Sequence, residues 1–541
     1  MKTIYQHLTL LTFMFTTLVS CQKYIEDAPL SQATVDQFYK TPKDAEVALI
    51  GIYSILSNND GSYGRSLITV LNGGNDELLV NFNTTNRPDD FPFGDASFSA
   101  TSEFLKSVWA TQYRGIYRAN LFLEQVDQIP AEKFSGNRKA ALLAEARLLR
   151  GFFHMTLSMM HGAIPVYTST AQEATLPRHT LEEVYRQIIE DYSFAYENLE
   201  ARGPRSTSVN KYTAAALLAR VYTYLASAKN NGYAKDFSDL PINSFDWVDA
   251  DECYRNALAL TTDIVLHSGY ILIPEYRRLF RPNTKADQYK ECLMLAEASS
   301  DASARVTNSI RDVLIPQGNR DTRGGGAGTF RPTGQLYDLY MNIDNRFSNN
   351  LTGNLNSNTT EELDGVTFFV PRAAKKDQSY YCVGKFRMRA GVSNTLSSGA
   401  SDMSIPIIRY AEVLLLHAEA LYFTGDESAA REIFTQIRQR AVAGNAANLE
   451  KLNSRYRKAD FIEELLDERS RELCFENLRK IDLARFGKLT NVIKSLDETN
   501  GFYNKIVPQL QANWIPERVW FPIPDAQILL NNNLEQNLGF N

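Results

Sequence analysis

The stretch HAEALYFTGDESAAREIFTQIRQRA, residues 417–441, does more than any other to limit what this chain can fold into. Ala418, Leu421, Ala430, Phe434 and Ile437 recur at the three- and four-residue spacing of helix faces. Gly425 and Asp426 interrupt the pattern midway, glycine closing one helix and aspartate favouring the start of the next. Small residues where two helices touch, with large ones filling the adjacent gap, predict a helix hairpin of the tetratricopeptide kind. A second copy is split: Ala219, Tyr222 and Ala226 lie on its first helix and, after an insertion at 229–248, Ala250, Tyr254 and Ala257 on its second. Residues 134–201 form a third, more degenerate pair. Ala-rich helices that merely pack closely are the competing explanation.

The same spacing argument runs along most of the chain. TPKDAEVALIGIYSIL starts a helix cleanly, with Thr41 as N-cap, Pro42 at the first helical position and Asp44 in the first turn. It predicts one apolar stripe through Val47, Ile50, Tyr53 and Ile55–Leu56. Helical periodicity covers 102–128, 134–161, 180–201, 210–228 and 249–268, and returns at 405–444, 460–474 and 478–496. Two stretches lack it. Residues 72–101 are rich in Asn, Asp, Gly and Pro but carry Phe82, Phe91, Phe93 and Phe98, which argues against disorder and for a functional loop. Residues 271–404 mix glycine runs with aromatic clusters such as LYDLYMNIDNRF, the pattern of loops, short strands and short helices. The expected fold class is mainly α, with an irregular insert as the place to look for a ligand.

The first residues have another character. Lys2 is the only charged residue in 1–20, and Leu8–Val19 is an apolar run, too short for a helix that crosses a bilayer, which takes about 20 residues. A positive start, a short apolar core and a small residue before the break predict a secretory signal peptide at 1–20. Leu18-Val19-Ser20-Cys21 resembles a bacterial lipobox, which implies cleavage ahead of Cys21 and acylation of its sulfur. An ordinary signal peptide with Cys21 as a bystander is the alternative. No later run of about 18 apolar residues follows, so the lipid is the expected membrane contact.

An apolar fraction of 44% and a charged fraction of 22% fit a globular, well-cored chain. A net charge of −6 with no basic stripe gives no electrostatic reason to bind nucleic acid. Cys253, Cys292, Cys382 and Cys474 are too dispersed for a zinc site or a small disulfide framework. Cys253 and Cys474 fall inside helical patterns and are expected to be buried.

Catalytic signatures are missing: there is no HExxH, no GxSxG and no GxxxxGK[ST], and GGGAG at 324–328 lacks the following Lys-Ser/Thr. Adjacent acids such as Asp76-Glu77 and Asp89-Asp90 suit a glycosidase in principle but are far more often solvated surface. The string Glu468, Arg471, Glu472, Glu476, Arg479, Asp482 and Arg485 predicts a structural ion-pair network. Its opposite charges stand three apart along helical turns, as in Arg469–Glu472, Glu476–Arg479, Arg479–Asp482 and Asp482–Arg485. Acidic loops such as DGVTFF and NRPDD lack the spaced oxygen ligands of a calcium loop, and no metal or cofactor is expected.

Six stretches resemble, in order, signature segments of the SusD/RagB family of Bacteroidetes outer-membrane lipoproteins. They are TVDQFYKTPKDAEVALIGIYSIL, VWATQYRGIYRANLFLEQV, LLAEARLLRGFFHMTLSMMHGAIPVY, IPIIRYAEVLLLHAEAL, LLDERSRELCFENLRKIDLARFGKL and VWFPIPDAQILLNNNLEQNLGF. Leu478 and Lys480 stand where that family often has a histidine and an aromatic residue, and LGF replaces its usual Pro-Gly-Tyr close. The resemblance implies tetratricopeptide-like helix pairs forming a right-handed superhelical scaffold with an irregular, ligand-binding half. It divides the chain into a leader at 1–20, an N-terminal SusD-like region at 21–270, an irregular insert at 271–404 and a C-terminal region at 405–541. It also implies a surface-exposed, non-catalytic lipoprotein of the outer membrane that captures an oligosaccharide and closes as a lid on a SusC-like TonB-dependent transporter. Peptide cargo on the same fold, and a surface glycoside hydrolase, are the alternatives.

Sugar recognition asks for flat aromatic faces against the apolar side of a ring, and for amide, carboxylate or guanidinium groups at the hydroxyls. The first irregular loop supplies Asn75, Asp76, Asn81, Phe82, Arg87, Phe91 and Phe93 as candidates. Later segments supply Trp247, Tyr276, Phe330, Tyr337 and Tyr340, and for each residue loop-stabilising packing is the competing role. Trp109, Tyr113 and Tyr117, at i, i+4 and i+8 on a helix, are read as repeat packing, and Trp514 and Trp520 as scaffold.

Overall fold

The computed structural model describes residues 38–540 apart from 59, 82–88, 232–240, 302–305, 377, 392–395, 397–399 and 498–502. Thr41 sets the first helix, α1 (Pro42–Tyr53): its hydroxyl accepts the Asp44 N–H, and the Asp44 carboxylate accepts the Thr41 N–H in return. Ala45, Leu49 and Ile52 form the buried face, while Val47 and Ile50 are each 50% exposed. The stripe expected through Val47, Ile50 and Tyr53 is therefore corrected. α1 lies on two later scaffold helices, and their position selects which of its apolar residues is covered. A buried helix α2 (Ser66–Asn72) leads into the expected loop at 72–101, which contains a strand, β1 (Leu78–Val80).

The scaffold is a row. Helices α3 (Glu103–Asp127), α4 (Arg138–His161), α5 (Leu181–Asn198), α6 (Lys211–Asn230), α7 (Ala250–His267), α8 (Tyr410–Phe423) and α9 (Glu427–Ala441) pack in that order, each against the next. Side-chain caps start most of them: Thr180 with Glu183, Asn210 with Thr213, Asp249 onto the Glu252 N–H and Asp426 onto the Ala429 N–H. Close approach depends on small residues. Gly115 of α3 faces Phe153 of α4 so tightly that a Cβ there would meet the ring at 2.6 Å. Across the irregular insert the row continues through Tyr254 of α7, whose ring stacks on Phe423 of α8 with centroids 4.2 Å apart. The hairpins α4–α5, α6–α7 and α8–α9 stand where the sequence places its three helix pairs.

Residues 405–409, expected to open a helix, are a strand. β8 (Ile405–Arg409) pairs antiparallel with β2 (Cys292–Ala296), and every residue of both is buried. Three isoleucines favour a pleated surface and Pro406 has no N–H to give a helix interior, so the chain turns helical only at Tyr410. The other pairings are β1 with β3 (Phe330–Pro332), β4 (Leu351–Thr352) with β7 (Cys382–Val383), and β5 (Thr360–Leu363) with β6 (Val366–Phe369). Past α10 (Ala446–Tyr456) and α11 (Phe461–Leu473), the helix expected over 478–496 divides into α12 (Arg479–Arg485) and α13 (Leu489–Lys494) around the turn at Gly487. α14 (Tyr503–Asn513) and α15 (Asp525–Leu530) close the chain.

Buried charge fills the seam between scaffold and insert. Arg409 donates to Glu291, Glu472 and Glu476, and Arg346 donates to Asp344, Glu468 and Glu472, with both arginines fully enclosed. The network expected from the sequence exists, but most of its partners are tertiary. Arg469 bonds Asp482 at 2.7 Å, Arg479 bonds Asp76 and Glu476 takes Lys385, while Asp482–Arg485 keeps its pairing along the helix. Such a network fixes geometry more than it adds stability, because desolvation offsets most of the attraction. Cys253, Cys292, Cys382 and Cys474 are buried free thiols, and burial pushes Cys253 and Cys474 up to about 12. Among the described residues, no helix is long and apolar enough to cross a membrane.

Candidate ligand groove

Most of the residues singled out in the first irregular loop are interior. Asn75 accepts the N–H groups of Glu77 and Leu78 on its side-chain oxygen and donates to the Asn72 carbonyl, an Asx turn that starts β1. Asp76 is held by two nitrogens of Arg479, and Asn81 donates its backbone N–H to Thr329 at 2.6 Å. Phe93 stacks on Phe98, with centroids 5.6 Å apart, and on Phe104. In the insert, Tyr276 donates its hydroxyl to the Glu472 carbonyl and Phe330 lies inside β3. Asn75, Asp76, Asn81, Phe93, Tyr276 and Phe330 are all buried, and in this conformation they present almost no side-chain surface to a ligand. Apolar burial and buried ion pairs claim these side chains first.

Four candidates keep partial exposure. Tyr337 and Tyr340 come together on either side of Phe347, with centroids at 5.1 and 5.6 Å, and the Tyr340 hydroxyl donates to the Arg471 carbonyl. Phe91 is half-buried. Trp247 stands apart on the scaffold, its ring beside Tyr185 and its indole N–H on the Ser244 carbonyl. Cys21, Phe82 and Arg87 lie outside the described residues.

The open concave site is elsewhere. A groove of about 630 Å³ runs between α3, the segment that follows α4, and the C-terminal helix α15. The face of α3 contributes Trp109, Tyr113, Tyr117 and Asn120, which the helical repeat places on one side. Trp109 and Tyr113 rings meet at 4.9 Å, and Tyr113 meets Tyr167 edge-on at 5.7 Å. Tyr117 is 55% exposed, a ring face open to solvent.

The second wall is held rigid. The chain leaves α4 at Gly162, whose φ of +75° and 2.6 Å Cβ approach to Asn243 Oδ1 exclude a side chain. It then runs past α3, where Pro165 accepts the Tyr113 hydroxyl at 2.9 Å and Tyr167 accepts Asn120 Nδ2 at 3.0 Å on its carbonyl. Gln172 accepts the N–H groups of Thr168 and Ser169, and the Glu124 carboxylate takes the Ser169 hydroxyl with the Thr170 N–H and hydroxyl. Burial pushes Glu124 up, but the hydrogen bonds from Thr170 and Ser169 outweigh it and hold this carboxyl below its usual range.

The third wall comes from the chain end. Asn531 donates to the Leu176 carbonyl and Asn533 to the Thr175 carbonyl. Arg178 donates to the carbonyls of Ala163, His161 and Glu535 and to Asn537 Oδ1, tying the C-terminal segment to the loop. The lining joins aromatic faces to amides and hydroxyls and includes no carboxylate, imidazole, thiol, guanidinium or amine. Such a surface offers ring faces for stacking and hydroxyl and amide groups for hydrogen bonding.

Residues 290–540 match the family model described as SusD family, and residues 85–223 match the model described as starch-binding, associating with outer membrane. The chain belongs to the SusD/RagB family. Curated relatives agree. SusD-like protein P25 of Formosa agariphila is 22% identical over 97% of each chain. Starch-binding protein SusD of Bacteroides thetaiotaomicron is 30% identical, over 26% of this chain and 22% of its own length. Among solved structures, a SusD homolog from Bacteroides thetaiotaomicron superposes with a TM-score of 0.72 at 21% identity, covering 94% of this chain and 99% of that one. A laminarin-binding SusD-like protein gives 0.68 at 20% identity over 93% and 100%. The mainly helical scaffold is thus the SusD-like fold.

Sequence reasoning left this SusD-family chain's groove unseen, because Trp109, Tyr113 and Tyr117 were assigned to packing. The assignment holds for Trp109, which is 4% exposed, and fails for Tyr117. One local signal existed: the Tyr-Thr-Ser-Thr-Ala-Gln run after Val166 combines a ring with hydroxyls and an amide. The C-terminal wall, more than 350 residues away in sequence from the loop it meets, gave none.

Proposed function

We propose that this SusD-family chain captures a glycan in the α3–α15 groove and hands it, unaltered, to an outer-membrane transporter of the SusC-like, TonB-dependent class. The observation that carries the reading is the composition of the groove: ring faces of Tyr113, Tyr117 and Tyr167 beside the side-chain amide of Gln527. Rings stack on the C–H faces of sugars and amides meet their hydroxyls, and the volume is that of a pocket for a short ligand segment. Relatives described as starch-binding, as laminarin-binding and as glycan-binding in complex with laminarihexaose support the ligand class. A lipid on Cys21 holds the body at the outer membrane, and the chain acts as a lid whose closed state the cargo favours.

Titration calorimetry of the purified chain with maltohexaose, laminarihexaose and a peptide of similar length tests this, alongside chromatography of the ligand recovered afterwards. Saturable binding of a hexasaccharide returned intact is the expected result. Peptide binding alone moves the cargo to peptides, and cleaved sugar overturns the non-catalytic reading. Capture of the tagged chain from native outer membranes should bring down a large β-barrel, and failure to do so removes the transporter partnership.

A further inference from the structure

We infer that the groove, read as a glycan site, selects neutral sugar chains and turns away those bearing uronic acids or sulfates. Three observations carry this. First, none of the 17 lining residues has an ionisable acid or base of the carboxylate, amine, guanidinium or imidazole kind, so a charged sugar entering it loses hydration and gains no counter-ion. Second, the Glu124 carboxylate sits directly behind the wall, bonded to Ser169 and Thr170, and stays ionised there. Its negative charge stands one hydrogen bond from the lining residues Ser169 and Thr170 and opposes a second negative charge there.

Third, the guanidiniums of Arg150, Arg178 and Arg118 donate to the protein and do not line the groove. Arg150 donates to Asp191, Asn120 Oδ1 and the Thr168 carbonyl, Arg178 to backbone carbonyls and Asn537, and Arg118 to the Gly51 carbonyl and Ser54 Oγ. Arg114 is exposed on the flank of α3, outside the lining, and the exposed Glu173 and Glu535 flank the loop and C-terminal walls. Neutral sugars have no such penalty: Gln527 and the Tyr117 hydroxyl are there for their hydroxyls.

The test compares laminarihexaose and maltohexaose with the same two hexasaccharides oxidised at C6 to uronates, so that ring number and linkage are held and charge alone changes. Titration of the full chain should show each oxidised form bound about tenfold or more weakly than its neutral parent. Glu124→Gln keeps an acceptor for Ser169 and Thr170 while removing the charge, and should narrow that ratio. Tyr117→Ala should weaken the neutral forms. Oxidised forms bound as well as or better than neutral ones overturn the inference and leave the glycan reading standing. Neutral binding untouched by Tyr117→Ala places the site elsewhere and also overturns it. If no hexasaccharide of either kind binds, the glycan reading falls and takes the inference with it.

Discussion

Arg479 grips Asp76 with two nitrogens, Nε to Oδ1 at 2.9 Å and Nη2 to Oδ2 at 2.5 Å, across 403 residues of sequence. The pair pins the start of β1 to α12 and so joins the first irregular loop to the C-terminal region. Asp76 and Glu77 beside it are buried, and Glu77 lies 3.9 Å from the same guanidinium. Arg479→Ala leaves two enclosed acids without their cation and should destabilise the fold by about 3–5 kcal/mol. Thermal unfolding checks this, and an unchanged midpoint contradicts the role assigned to the pair.

Lys480 predicts a pH effect of definite sign. It is buried, donating to the Val70 carbonyl at 3.2 Å with Phe521 5.1 Å away, and burial lowers its pKa to about 7. The unfolded chain holds this proton up to about pH 10.4, so between 7 and 10.4 it binds more protons than the native state and stability rises with pH. Below pH 7 the penalty is fully present. Lys480→Met should therefore raise stability by roughly 2–4 kcal/mol at pH 6 and flatten the rise above pH 7. Denaturant midpoints for both chains at pH 6, 8 and 10 decide it.

Glu77 should act in the opposite sense and in another window. Burial raises its pKa to about 7, so between the unfolded value of about 4.3 and pH 7 the native state binds more protons and stability falls as pH rises. Glu77→Gln removes the titrating proton while keeping one acceptor oxygen, for either the Ser470 hydroxyl or the Phe475 N–H, and should weaken this fall. The slope of midpoint against pH from 4.5 to 7 is the measurement.

Tyr117 separates binding from folding. Its ring is more than half exposed, so Tyr117→Ala should move stability by no more than about 0.5 kcal/mol. Loss of a stacking face should weaken a groove-bound glycan about tenfold. Parallel calorimetry and melting curves check both halves, and a large fall in melting temperature would show Tyr117 to be structural.

Gly115→Ala tests the scaffold beneath the groove. The new methyl meets the Phe153 ring at 2.6 Å, and separating α3 from α4 should cost about 1–3 kcal/mol. Because α3 supplies one groove wall, ligand affinity should fall with it. A variant as stable as the parent would mean that the helices yield without cost.

The hairpin α8–α9 was legible because both of its helices, their turn and their small-residue contacts lie within 32 consecutive residues, 410–441. β8 was not: IPIIR borders a helical pattern, and what makes it a strand is Cys292–Ala296 lying alongside. The ion-pair string of 468–485 was legible as a network, while its partners were not, since Arg479 finds Asp76 and Glu476 finds Arg409 and Lys385. The ligand candidates were chosen for chemical type and irregular context, and burial then enclosed most of them.

The order of amino acids determined the helix starts, the repeat hairpins and the family, because capping and apolar spacing act over a few neighbouring residues. Which aromatic faces remain open was decided only by tertiary structure. A side chain is exposed or enclosed according to what packs over it, and here the covering pieces, α12 over Asp76 and α15 beside Tyr117, arrive from the far end of the chain.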